Sequence, residues 1–159
     1  MSSPENPVQT LHRSLRDLMR QNARAGRVVV AVDGWDADRA RAFADGFAAV
    51  LAEDGTVVER ASVEDPALDV RESVVAPFRA GAGDAVLLVD GRFLHTTERR
   101  GLWNYSVWLE SNPPIGAPRP ELPDAEKHYL ATARPKAAAS AIVENSDPAH
   151  PVQVFGDFC

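Results

Sequence analysis

Cysteine is almost missing from this chain: one residue in 159, at Cys159. A lone thiol can form neither an internal disulfide nor a multi-thiolate zinc site. That usage fits a reducing compartment, so a cytoplasmic location is expected. Nothing in the flanking "GDF" marks Cys159 as a reactive thiol. Histidine is also sparse, and His12, His95, His128 and His150 show no metal-ligand spacing, so no metal site is expected. Positive charge is in deficit, with 17 Lys and Arg against 23 Asp and Glu, a net of −6. Binding to nucleic acid or to an anionic membrane surface is therefore disfavoured. No apolar run approaches the length of a membrane span. The opening "MSSPENPVQT" is polar and does not read as a signal peptide. Repeats and compositional breaks are lacking too, so residues 1–159 read as a single domain, with 1–7 as a flexible tail.

What is present alternates. Val8, Leu11, Leu15, Leu18 and Met19 fall at helical spacing to about Arg24, with Gly26 as the stop. "RVVVAVDG" is continuously apolar and β-branched, as in a strand covered on both faces. A helix follows, with Ala40, Phe43, Ala44, Phe47, Val50 and Leu51 on one face and Gly55 beyond it. "TVVERAS" predicts a second strand, and Ala67–Arg79 a helix distorted near Pro77. "AVLLVD" predicts a third strand, Thr97–Leu102 a short helix, and "YSVWLE" a fourth strand. In "YSVWLE", Tyr105, Val107 and Leu109 alternate with Ser106 and Trp108, so the aromatics read as packing. Residues 112–124 are Pro-rich and irregular. "DAEKHYLATAR" is a helix, "SAIVEN" a fifth strand, and "VQVF" an edge strand or extended tail. Strands alternating with helices imply a parallel sheet with helices on both faces, binding ligands at the strands' carboxyl ends. Asp33–Arg41, Ser62–Pro66 and Asp90–His95 meet at that edge.

The first of these segments has the layout of a phosphate-binding loop, a buried strand ending in Asp-Gly ahead of an amphipathic helix. "VLLVDGRFLHTTERRGLWNYSVWLES" (Val86–Ser111) resembles the corresponding stretch of actinobacterial uridine kinase-like proteins, in the P-loop nucleoside kinase family. So do "VVVAVDG…FADGFAAVLAEDG", "RASVED", "YLATARPKAAASAIVENSDPAHP" and "VFGDFC". The resemblance implies an α/β P-loop NTPase-like three-layer sandwich with a five-stranded core parallel sheet. It also shows departures. The phosphate loop G-x-x-x-x-G-K-[ST] uses glycines to close backbone N–H groups around phosphates, Lys to reach them, and a hydroxyl to hold Mg²⁺. Here the motif positions run from Gly34 through Asp36 and Asp38 to Arg39, Ala40 and Arg41: the first glycine remains, while the second glycine, the lysine and the hydroxyl do not. The family's acidic base position after the second strand is Glu64, but Pro66 replaces the aromatic two residues on. The family's Arg-rich lid is replaced by residues 112–124, with Arg119 its only arginine.

Losing one such charge-stabilising element typically reduces the rate by about 10²–10³. The combined losses lead to the expectation of a catalytically impaired, pseudokinase-like protein without ATP or Mg²⁺ as cofactors. It would bind a protein partner or a small molecule at the former active-site face, with its oligomeric state open. The alternative is an active uridine or cytidine kinase using ATP and Mg²⁺, with Glu64 as base, Asp90 as metal ligand, and Arg39 or Arg41 replacing the lysine. Asp33 and Asp90 close buried strands, either as functional carboxylates or as strand-end turn residues. One of Asp36 and Asp38 is expected to cap a helix starting near Arg39 and to fill the anion site; the other reading is two solvated turn residues. Arg39 and Arg41 pair with them, point to solvent, or bind an anionic ligand. Arg92 and His95, close to the nucleotide in intact relatives, complete the candidate set, with His95 read as a satisfied surface residue.

Overall fold

The computed structural model describes residues 6–23 and 25–155; the expectations for residues 1–5 and for the "GDFC" end fall outside that range. Six strands form one sheet in the order β2-β3-β1-β4-β5-β6. They are β1 (Arg27–Gly34), β2 (Val58–Val63), β3 (Ala85–Gly91), β4 (Tyr105–Glu110), β5 (Ala141–Glu144) and β6 (Val152–Val154). The first five run parallel, and β6 adds antiparallel to β5, so "VQV" is an edge strand. The central strand β1 pairs with β3 on one side and β4 on the other. The chain crosses from β1 to β2 on one side and later from β3 past β1 to β4 on the other, and the crevice of such a sheet lies at the carboxyl ends of the strands at that switch.

Alternation along the strands divides the core in two. Val28, Val30 and Val32 of β1, with Val86 and Leu88 of β3, face α1 (Pro7–Asn22) and α2 (Ala37–Ala52). Val29 and Ala31, with Leu87 and Val89, face the opposite layer, where Val70, Val75 and Phe78 pack. Trp108 of β4 faces that second side as well, against Tyr129 and Ala133 of α4 (Asp124–Ala133). Both faces of β4 are buried, so Tyr105 and Trp108 pack, as the sequence reading expected.

The helix expected over 67–79 is broken. A π-helical turn (Arg71–Val75) leads into the four-residue α3 (Ala76–Arg79), with Pro77 in the first turn. Proline lacks the N–H for a regular bond and its ring crowds the preceding turn, so the wider turn sits just ahead of it. The helix expected over 97–102 contracts to a 3₁₀ turn (Arg100–Leu102). Residues 112–123 carry no regular element. α4 ends at Arg134, which is left-handed (φ 47°), before the short α5 (Pro135–Ala138).

α1 starts with Asn6 accepting the Val8 N–H at 2.9 Å and with Pro7 in the first helical turn, as a helix start favours. Leu11, Leu15 and Met19 meet α2, and Arg16 donates to the carbonyl of Val50 at 3.1 Å near the end of α2. His12 shares this buried face, 1% exposed, with its ring 4.5 Å from that of Phe43 and 5.6 Å from that of Phe47. Neither ring nitrogen has a partner. A Cβ on Gly46 would lie 2.8 Å from Nε2, so the glycine makes room for the ring. Burial alone lowers the His12 pKa to about 4, so the ring is neutral in the fold.

The unfolded chain takes up this proton below about pH 6.5 and the folded chain only near pH 4. The contribution is complete above pH 6.5 and is lost as pH falls toward 4, by up to about 3 kcal/mol. Urea denaturation between pH 7 and 4 should show this slope, and His12→Leu should remove most of it.

Candidate functional site

β1 delivers Asp33 to the crevice fully buried. Its Oδ2 lies 2.7 Å from His95 Nδ1 and accepts a short hydrogen bond from the Tyr129 hydroxyl. That hydroxyl in turn accepts the backbone N–H of His95 at 2.8 Å. Desolvation, then the charge on Asp33, pushes the Tyr129 phenol well above its usual range, so it stays a donor. A carboxylate can only accept, which assigns the proton to His95 Nδ1. His95 is therefore buried, contrary to the expected surface position. The cluster joins β1, the segment after β3, and α4.

After Gly34 the chain needs only Trp35 and Asp36 to enter α2, which begins at Ala37. The helix was expected to start near Arg39; it takes in two residues that a phosphate loop would leave open. Asp36 is the N-cap, its Oδ1 accepting the N–H groups of Asp38 at 3.0 Å and Arg39 at 3.2 Å. Asp38 sits in the first turn with its side chain exposed, 3.5 Å from Arg41. Arg39 bends back to Asp36 at 3.7 Å and donates to Ser111 Oγ and to the carbonyl of Asn145, both at 3.3 Å. Ala40 is fully buried in the core between α2 and the sheet.

Asp90 closes β3 on the α2 side of the sheet, away from Asp33. Arg60 donates to its Oδ2 at 3.0 Å and Ser62 to its Oδ1 at 2.8 Å, while Arg60 also pairs with Asp45 of α2 at 2.7 Å. β2 brings Arg60 and Ser62 to the same face because they are two residues apart. Glu64, just past β2, is exposed. The next turn packs tightly: a Cβ on Gly91 would fall 1.7 Å from the Val63 carbonyl oxygen. Arg99, 5% exposed, donates to the carbonyls of Phe93, Asp65 and Leu68 at 2.8–3.1 Å, fastening the segments after β2 and β3 together.

A cleft of about 550 Å³ opens at the carboxyl ends of β1 and β4, roofed by Arg119–Pro123 of the Pro-rich segment. Gly34, Asp36 and Arg39 from the sequence-derived candidates line it, together with Trp108, Glu126 and Leu130. Asp90, Glu64 and Arg41 do not. Arg92 lies with its guanidinium 3.9 Å over the Trp35 ring. Among the described residues no group of three His, Cys, Asp or Glu side chains could hold a metal ion. Sequence reasoning missed Tyr129, Glu126 and Arg60. Glu126, Tyr129, Leu130 and Ala133 do share helical spacing, which marks a buried face but not which strand end it meets.

Replacing Asp36 with Ala should lower stability by about 1 kcal/mol in urea denaturation, and Asp38→Ala should leave it nearly unchanged. Arg60→Met leaves a buried carboxylate without its cation and should destabilise by about 2–3 kcal/mol in the same assay.

No protein-family model matches the chain, and no curated protein matches it. A solved structure described as a possible uridine kinase from Bacillus stearothermophilus is similar to it, with a TM-score of 0.65 at 18% sequence identity. The match covers 86% of this chain and 96% of that one. At that identity the likeness establishes the architecture: a mostly parallel six-stranded sheet between helices, of the P-loop kinase-like type.

Proposed function

We propose that this chain is a kinase-fold protein impaired in phosphoryl transfer, and that it acts by binding through the cleft beside α2. One observation carries the reading: the N-terminus of α2 already has its anion, the Asp36 carboxylate held by two backbone N–H groups. Such a helix end attracts phosphate when it is open. Here a triphosphate would meet Asp36 and Asp38 at close range, and like charges repel. No loop surrounds it, because residues 37 and 38 are already helical. The position aligned with the lysine is the buried Ala40, so it offers no cation.

Mg²⁺ is no better served. Asp90 is neutralised by Arg60 and hydrogen-bonded by Ser62, and a cation there would have to displace the guanidinium. Position 41 carries Arg in place of a hydroxyl. These residues do not fit ATP–Mg²⁺, and phosphoryl transfer relies almost wholly on positioning and charge neutralisation. The competing reading, an active uridine or cytidine kinase, needs Arg39 or Arg41 free for phosphate. Arg39 instead ties Asp36 to Ser111 and Asn145, and Arg41 leans on Asp38.

Isothermal titration with ATP–Mg²⁺ should give no heat of binding up to millimolar nucleotide, and labelled ATP should transfer no phosphate to uridine or cytidine. Micromolar binding or measurable transfer would reinstate the kinase.

A further inference from the structure

We infer that the cleft takes a small organic cation, an ammonium or amidinium group on a planar apolar body, with Glu126 as its counter-ion. This rests on the reading of the cleft as a binding site and names the chemistry of its occupant. Glu126 is 7% exposed, lines the cleft, and has a buried Oε2 that no donor reaches. Burial raises its carboxyl pKa, and the positive charge of Arg92 offsets only part of that rise. Arg92 itself is stacked on Trp35 and acts on Glu126 as a nearby charge, without donating to its buried Oε2.

A buried acceptor without a donor is expensive, by about 1–3 kcal/mol and more for a charged group. Native proteins leave few such atoms, and each calls for an explanation. Asp33 Oδ1, His95 Nε2 and Arg92 Nε are also buried without a partner, but of these residues only Glu126 lines the cleft. The other carboxylates around the cleft already have cations: Asp36 has Arg39 at 3.7 Å, Glu110 has Lys136 at 3.4 Å and Glu121 has Lys127 at 3.7 Å. Among the carboxylates that line the cleft, Glu126 is therefore the one with no cation in contact, and a buried carboxylate selects a cation. The apolar body of the ligand would lie against Trp108, Leu122 and Leu130, which give the cleft its apolar wall. An aromatic wall beside a carboxylate is a recurring way to hold an organic cation. The volume, about 550 Å³, suits a ligand of one or two rings.

The test uses the full chain with tryptamine as probe and indole-3-propionate as the anion on the same ring. Both are titrated at pH 7.5 by calorimetry, in the wild type and in Glu126→Gln. Tryptamine should bind with a Kd of about 10–100 μM, indole-3-propionate at least about tenfold more weakly, and Glu126→Gln should weaken tryptamine by about tenfold or more. Without ligand, Glu126→Gln should melt no lower than the wild type, because the carboxylate serves a ligand and not the fold. Equal binding of the two probes, no binding of tryptamine, unchanged affinity in Glu126→Gln, or a lower melting temperature for that variant would each overturn the proposal. None of these outcomes depends on ATP. The kinase question is answered by the nucleotide titration, so the two readings can fail separately.

Discussion

A single buried carboxylate organises the crevice. Burying an ion in a protein interior carries a penalty of several kcal/mol unless its lone pairs are met. Asp33 is fully buried, and His95 and Tyr129 converge on one of its oxygens. Those partners come from the segment after β3 and from α4, so meeting Oδ2 fixes both elements over the end of β1, while Oδ1 is buried without a partner. Tyr129 then sets the rotation of α4, which turns Glu126, about one turn earlier, and the adjacent Leu130 toward the cleft. Arg99 reinforces the arrangement by fastening the adjoining turns through their carbonyls.

Around that frame the chain answers most of its charges itself. The positive end of α2 receives Asp36, Asp90 receives Arg60, and Arg39 closes a bridge between α2, Ser111 and the end of β5. A helix N-terminus and a strand-end carboxylate can hold phosphate or a metal ion from outside when they are left open. A site neutralised from within has little affinity left to give a charged ligand. Glu126 stands apart, because the fold places it on the cleft wall and supplies no cation in contact with it. The cleft carboxylate that has no cation in contact thus lies on its α4 side.

Much of the architecture was legible in the residues. Continuous β-branched runs marked β1 and β3, alternation marked β4, and apolar spacing marked α1, α2 and α4, because burial of one face is recorded in the period of the pattern. The cap could be narrowed to Asp36 or Asp38, since few side chains accept from a helix N-terminus. Less was legible where a short local signal competed with a contact. The 67–79 segment carried helical apolar spacing, yet Pro77 widened one turn and left four residues of α-helix. His95 read as a surface residue because nothing in "GRFLHTT" reveals that Asp33 and Tyr129 lie on either side of it.

The sequence by itself determined the order of strands and helices, the Arg39-Ala40-Arg41 run after Gly34, and the acidic balance of the chain. These depend on residue type and spacing along a local stretch. Only the tertiary structure decided which charges meet. It brought Asp33 to Tyr129 across 96 positions and Asp90 to Arg60 across 30, and it left Glu126 without a donor. Such pairings are set by strand order and helix docking, and the energy of a buried charge depends on neighbours that no local pattern specifies.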